Sequence, residues 1–297
     1  MRSRSKYRAR SVFLVSFVLR PLTPRDFPSV DSLLTAAYSR STSMLDELVR
    51  YHRLQPDGWI LALREEKPIG MGGALLYGAR ARIGLMAVLP EMQHQGIGAA
   101  IMQHLLEWIA HRGATTVLLD ATPAGVPLYA KFGFIADDTA CAYIQKRSSR
   151  AVDTPARATT QLEPEGLPEV IRYDEGRLGT QRTAVLTSYC EEFADRTFVA
   201  RNSQGNIAGY LIAQARRLGP WVADTPEIAR SLLQHALRLS FSQSPMVLIP
   251  EYNQAARPLL EQAGFLPERR WQSMRLGGIP DLHRRQWLYG YANFYCG

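Results

Sequence analysis

Cysteine is scarce in this chain. Cys141, Cys190 and Cys296 are the only three in 297 residues. Their odd number, wide spacing and lack of a Cys-x-x-Cys exclude a disulfide scaffold and a thiolate zinc site. A reducing, cytoplasmic setting fits such usage. The six histidines, His52, His94, His104, His111, His235 and His283, form no His-x-x-x-His or His-Glu-x-x-His pattern, so no metal is expected. Long apolar runs are missing too. None approaches the roughly 18–20 residues of a membrane span, and no membrane partner is expected. Acidic residues are absent from the first ten positions, where Arg2, Arg4, Lys6, Arg8 and Arg10 stand. The formal charge is 35 − 27 = +8, and five of those charges sit on this tail, leaving 8 − 5 = +3 for the rest. The basic total therefore does not mark a nucleic-acid-binding fold, and no nucleic acid is expected as partner.

What is present is an ordinary globular composition, 46% hydrophobic and 21% charged, at a length that suits two domains. The Arg-rich start followed by apolar Val12–Leu19 has the order of a signal peptide. About eight residues is the short limit for its apolar region, and Arg20-Pro21-Leu22 stands where a small-x-small cleavage site is required. Val12–Arg20 reads instead as a first strand. Thr23-Pro24-Arg25-Asp26 has the residues of a capping box with proline at the first helical position. Helices are predicted to about Tyr38 and over about Ser43–His52. Strands follow at Gly58–Arg64 and Ile69–Tyr77, joined by Glu65-Glu66-Lys67-Pro68, and then at Ala81–Leu89. Ile97, Ile101, Leu105 and Ile109 recur every fourth residue, an amphipathic helix over Gln95–His111. Thr115–Asp120 is a strand, Val126–Lys131 a short helix, and Phe134 to Gln145 a final hairpin. Lys146–Gly166 loses all periodicity and reads as a linker.

The second half repeats landmarks of the first. Gly209 in a hairpin matches Gly70, and Leu259-Leu260-Glu261-Gln262-Ala263-Gly264-Phe265 matches Leu128-Tyr129-Ala130-Lys131-Phe132-Gly133-Phe134. The offsets are 209 − 70 = 139 and 264 − 133 = 131, in the same order, which favours an internal duplication.

The segment with chemical content is Met86 to Ala100. A strand ends at Pro90, and a loop with Gly96 and Gly98 opens directly into a helix. The first N–H groups of a helix have no intrahelical acceptor and carry the positive end of its dipole. Two glycines let an anion approach that backbone, which makes a pyrophosphate cradle. Ala99-Ala100 stands where a nucleotide-triphosphate loop needs Lys-Ser/Thr, and the third glycine of a dinucleotide fingerprint is missing.

Gln93-x-x-Gly96-x-Gly98 after Val88-x-Pro90 resembles the pyrophosphate-binding motif of the GNAT (N-acetyltransferase) superfamily. The order of elements agrees, and Tyr129 stands four residues before Gly133-Phe134, the usual place of that superfamily's general acid. The resemblance implies an acetyl-CoA-dependent N-acetyltransferase acting on a small-molecule amine by direct attack. Backbone N–H groups of Gln95, Gly96, Ile97, Gly98 and Ala99 would hold the pyrophosphate; Gln93 and His94 join them as cofactor-binding residues, His94 either touching phosphate or standing exposed. Main-chain groups of Met86, Ala87 and Val88 would pair with the pantetheine arm, and an N–H near Val88 would face the thioester oxygen. Tyr129 would protonate the departing thiolate. An aromatic before Gly-Phe also packs in cores, so Tyr129 has two readings. The general base stays open between Glu91, Asp120 and a water chain.

The second copy departs from the pattern. Leu218 to Glu227 has no Gly-x-Gly, Thr225-Pro226 forms a self-sufficient helix start, and Leu260 replaces the tyrosine. The whole resembles bacterial tandem GNAT proteins with an intact N-terminal and a degenerate C-terminal domain. The shared marks are Ala121 to Tyr129, Tyr173-Asp174 with Gly179 and Arg182, and Tyr289 to Phe294. The expected fold is α/β (α+β), two tandem GNAT-like domains, each a mixed, mostly antiparallel twisted sheet flanked by helices. The expected organisation is a basic tail at 1–14, a catalytic domain at 15–147, a linker at 148–165 and a degenerate domain at 166–297. A monomer or homodimer is expected. The alternative function is a non-catalytic acyl-CoA-binding sensor or scaffold.

Overall fold

The computed structural model describes residues 16–146, 159–278 and 282–295. The basic tail at 1–14, Cys296 and much of the expected linker lie outside them. Within the first half, β1 (Val18–Pro21), α1 (Phe27–Ala37), α2 (Leu45–Leu54), β2 (Trp59–Arg64), β3 (Lys67–Tyr77), β4 (Arg80–Val88), α3 (Ile97–His111), β5 (Thr116–Ala121), α4 (Val126–Lys131) and β6 (Ile135–Gln145) follow the order read from sequence. At Thr23 the reciprocal cap forms: the Thr23 N–H donates to the Asp26 carboxylate (2.9 Å) and the Asp26 N–H to the Thr23 carbonyl (2.9 Å). Arg20 adds a two-pronged ion pair to the same carboxylate, and this holds its pKa well below the usual range.

The second half repeats the series: β7 (Thr159–Gln161), α5 (Leu167–Leu178), α6 (Thr183–Glu192), β8 (Thr197–Arg201), β9 (Ile207–Ala213), β10 (Leu218–Ala223), α7 (Pro226–Ala236), β11 (Met246–Pro250), α8 (Ala256–Gln262), β12 (Phe265–Leu276) and β13 (Leu288–Gly290). The duplication holds at atomic detail. A Cβ on Gly70 would press on Ile97 and Ile101 of α3, and one on Gly209 would press on Ile228 and Leu232 of α7. Gly133 and Gly264 end α4 and α8 at φ +85° and +82°.

Two expectations are corrected. Thr159–Gln161, inside the stretch read as linker at 148–165, is a strand paired with β8. Its three residues are too few to show a period. Residues 134–145 do not form a hairpin. They make one long strand, β6, whose partners β12 and β11 both come from the second half. The acidic pair Asp137-Asp138 sits within β6 because Arg275 and Arg285 of the second half reach it.

The sheet orders are β1-β2-β3-β4-β5-β12-β6-β11 and β13-β10-β9-β8-β7. Strand β12 of the second half thus lies between β5 and β6 of the first, while β6 lies between β12 and β11. The halves exchange their long strands. Between them one apolar core draws on both, joining Leu34, Tyr51 and Trp59 to Val185, Tyr189 and Tyr210. Tyr51 of α2 and Tyr189 of α6 meet hydroxyl to hydroxyl at 3.3 Å. On the opposite side of the first sheet α3 buries Ile97, Ile101, Leu105 and Ile109. Full burial of each such side chain is worth about 1.5–3 kcal/mol, which anchors the helix whose N-terminus forms the site.

Candidate active site

Strands β4 and β5 run parallel but pair only at Arg80↔Thr116, Ala81↔Val117 and Arg82↔Leu118. Beyond Arg82 they part. A register irregularity in the β3–β4 pairing and the positive φ of Leu85 (+52°) mark where β4 bends away. The end of β4 is thereby a free edge. Leu89 donates its N–H to Ile69 of β3. By the alternation of a strand, the N–H and carbonyl of Val88 face the open side. The Val88 carbonyl there receives the Gln93 side-chain amide at 3.2 Å.

Helix α3 begins beside this edge. Gly96 is its N-cap at φ +85°, a left-handed geometry that glycine adopts without strain. No side chain caps the helix, and its first turn closes with Ala100 donating to Gly96 O at 3.0 Å. The N–H groups of Ile97, Gly98 and Ala99 are left without helical acceptors. A Cβ on Gly96 would meet nothing within 4 Å, so the cradle is open. These features fit a pyrophosphate group followed by an extended arm along β4.

The free edge and the helix start share a cleft of about 1310 Å³. Met86, Ala87, Val88, Gln93, His94, Gly96, Ile97, Gly98, Ala99 and Tyr129 all line it. Gln95 does not; its side chain turns back to the Glu91 carbonyl at 3.1 Å. The Met86 carbonyl already accepts from the Tyr38 hydroxyl at 3.1 Å.

Tyr129 is 8% exposed. Its ring leans on Phe134, and a Cβ on Gly125 would lie 2.9 Å from it. Its hydroxyl has no hydrogen-bond partner among the described residues. Burial pushes its pKa up to about 12, so it holds its proton at neutral pH. The ring is packed, and the residue lines the cleft.

Asp120 is taken by structure. Its carboxylate pairs with Arg82 of β4 and accepts from Ser273 of β12 at 2.5 Å, at 1% side-chain exposure. It ties both halves together and is not poised as a base. The cleft also carries residues that no motif pointed to. Tyr38, Arg40, Glu47 and Arg50 come from the first half; Arg217, Trp271, Phe294 and Tyr295 come from the second. The only hint among these was Phe294, at the end of a motif shared with tandem proteins.

The equivalent notch in the second half is filled. Strand β13 pairs with β10 at Trp221↔Gly290 and Val222↔Leu288, and Tyr291 donates to Leu248 of β11 at 2.8 Å. The chain itself thus occupies the gap between β10 and β11. The connection before the helix shrinks from residues 89–96 to residues 224–225. Thr225 caps α7 by accepting from the Ile228 N–H at 3.4 Å. Leu260, at the tyrosine position, is fully buried. Tyr173, Asp174 and Arg182 are structural: Asp174 binds Arg182 (2.7 Å) and Tyr210 (2.5 Å) in the core, and Tyr173 donates to Asp224 at 2.7 Å.

Comparison with known proteins agrees with this geometry. The acetyltransferase (GNAT) family matches residues 24–134, and an acetyltransferase (GNAT) domain matches residues 170–290. An uncharacterized N-acetyltransferase of Bacillus subtilis (strain 168), YitH, is 23% identical over 198 residues, covering 65% of this chain and 68% of that protein. A crystal structure of a proposed acetyltransferase from Pyrococcus horikoshii superposes with a TM-score of 0.84 at 27% identity, over 99% of this chain and all of that one. A tandem GNAT protein from the clavulanic acid biosynthesis pathway gives a TM-score of 0.60 at 18% identity, covering 90% of this chain and 100% of its own.

Proposed function

This chain consists of two GNAT acetyltransferase domains in tandem, and from that premise we propose that its first domain transfers an acetyl group from acetyl-CoA to the amine of a small molecule. The observation that carries the reading is the parting of β4 from β5 beside the uncapped start of α3, with the Tyr129 hydroxyl on the same cleft.

Acetyl-CoA would supply an activated thioester, and the chain's own groups supply the rest. Backbone N–H groups of Ile97, Gly98 and Ala99 would hold the pyrophosphate through charge-assisted hydrogen bonds. The Val88 N–H, on the open edge, would stabilise the negative charge that develops on the carbonyl oxygen. Tyr129 would give its proton to the sulfur that leaves. The amine arrives as an ammonium and ends as an amide, losing two protons; one restores Tyr129 and one goes to solvent. The second domain, its own notch filled, walls the acceptor end of the cleft with Arg217, Trp271, Phe294 and Tyr295.

Replacing Tyr129 by Phe tests the assignment. Turnover is expected to fall by roughly 100-fold or more, with acetyl-CoA affinity kept, as read by CoA release and calorimetry. Tight binding with no acetylation of any amine by the unaltered protein would favour a non-catalytic acyl-CoA binder.

A further inference from the structure

We propose that the acceptor carries a carboxylate beside its amine, and that Glu47 and Arg217, one from each half of the chain, recognise those two groups. The proposal rests on the acetyl-transfer reading above and specifies its acceptor.

Glu47 lies in the first turn of α2, and Arg217 immediately precedes β10; both line the cleft. Three buried polar atoms without a hydrogen-bond partner fall on this stretch of wall: Glu47 Oε2, Arg217 Nε and Arg50 Nε. The charges approach one another without bonding. Glu47 Oε1 is 3.8 Å from Arg217 Nη1, and Glu47 Oε2 is 3.9 Å from Arg40 Nη1. These are ion-pair separations, too long for hydrogen bonds. A buried donor or acceptor left unmade is costly, and more so when charged.

A ligand carrying both an ammonium and a carboxylate complements the Glu47 and Arg217 side chains that line the cleft. The amine would donate to Glu47, and the carboxylate would accept from Arg217. A simple amine offers Arg217 no acceptor, and a simple acid offers Glu47 no donor. A site built on such groups therefore rejects both. Arg50 is engaged elsewhere: its guanidinium lies 4.4 Å over the Tyr189 ring and pairs with Glu192.

The wall runs from these charges toward the reacting end. Tyr295 packs against Gly84 of β4, where a Cβ would sit 2.8 Å from it. Tyr295, Tyr38 and Tyr129 line the same cleft as Glu47 and the end of β4. Trp271 and Phe294, with ring centroids 4.0 Å apart, leave aromatic surface for the rest of the acceptor.

The test is a CoA-release assay on the full chain with α-, β- and ω-amino acids. Each amino acid is set against its amide and its decarboxylated amine, and acetyl-CoA binding is followed by calorimetry. At least one amino acid should exceed its decarboxylated counterpart in kcat/KM by roughly 100-fold. Glu47→Gln and Arg217→Met should each raise the acceptor KM by on the order of tenfold or more, with acetyl-CoA affinity unchanged. Arg217→Lys should recover part of the loss. A general folding defect would not divide the two substrates in this way, and the Gln variant keeps the shape of the glutamate. Three results would overturn the proposal: equal use of decarboxylated amines, no turnover of any amino acid despite acetyl-CoA binding, or unchanged acceptor KM in both variants. Failure to bind acetyl-CoA would instead take down the acetyl-transfer reading itself.

Discussion

A phenol serves as a general acid only while it keeps its proton and only where its hydroxyl is aimed. A phenol meets the first condition at neutral pH by itself, and burial raises the Tyr129 pKa further, to about 12; the second condition comes from its neighbours. Aim depends on Phe134 on one side and on the missing side chain of Gly125 on the other. A methyl group at Gly125 would stand 2.9 Å from the ring, closer than packed atoms tolerate. Gly125→Ala is therefore expected to lower kcat by roughly tenfold or more, while the acetyl-CoA dissociation constant measured by calorimetry stays the same. Tyr129, Gly96 and Gly98 were legible in sequence because each sits in a local motif of fixed spacing. Glu47, Arg217 and Tyr295 were not. Their meeting depends on how two halves pack, and no spacing along the chain records that.

At the scale of elements, the two domains differ in what happens between their fourth and fifth strands. In the first, β4 and β5 part and leave an edge open. In the second, β13 enters the gap and pairs with β10, and Tyr291 just after it donates to Leu248 of β11. The missing glycines and Leu260 set the second copy apart in sequence, but the filling of its notch did not show. Leu288–Gly290 is three residues long, too short for a pattern, and its partner is chosen by tertiary packing. The same limit explains the hairpin expected over residues 134–145. Asp137 and Asp138 are unlike strand residues until Arg275 and Arg285 arrive from the other half. Asp120 joins β5 to β4 and β12 through Arg82 and Ser273. Removing one partner of a buried ion pair leaves an uncompensated charge and costs about 3–5 kcal/mol. Asp120→Ala should show that loss in denaturant unfolding, and it should do so whether or not substrates are present.

For the whole molecule, strand exchange makes the halves interdependent. The eight-stranded sheet is complete only with strands from both halves, and the central core draws on α2 and α6 together. The duplication itself was readable from Gly70 with Gly209 and from Gly133 with Gly264. The exchange was not, since a repeat reads the same whether its strands pair within a copy or across copies. A chain interrupted between residues 146 and 159 should therefore yield two fragments that co-purify when co-expressed. Each expressed alone should be insoluble or unfolded, because β6 or β12 would present unpaired edges. Soluble, folded single halves would contradict this organisation.

The central claim is that one notch is open for acetyl-CoA and its duplicate is filled by the chain. Calorimetric titration of the intact protein with acetyl-CoA tests it most directly, by counting sites. The account predicts one site per chain, lost when the α3 cradle is blocked by Gly98→Glu and untouched by Leu260→Tyr. Two sites per chain, or one site that survives Gly98→Glu, would contradict it.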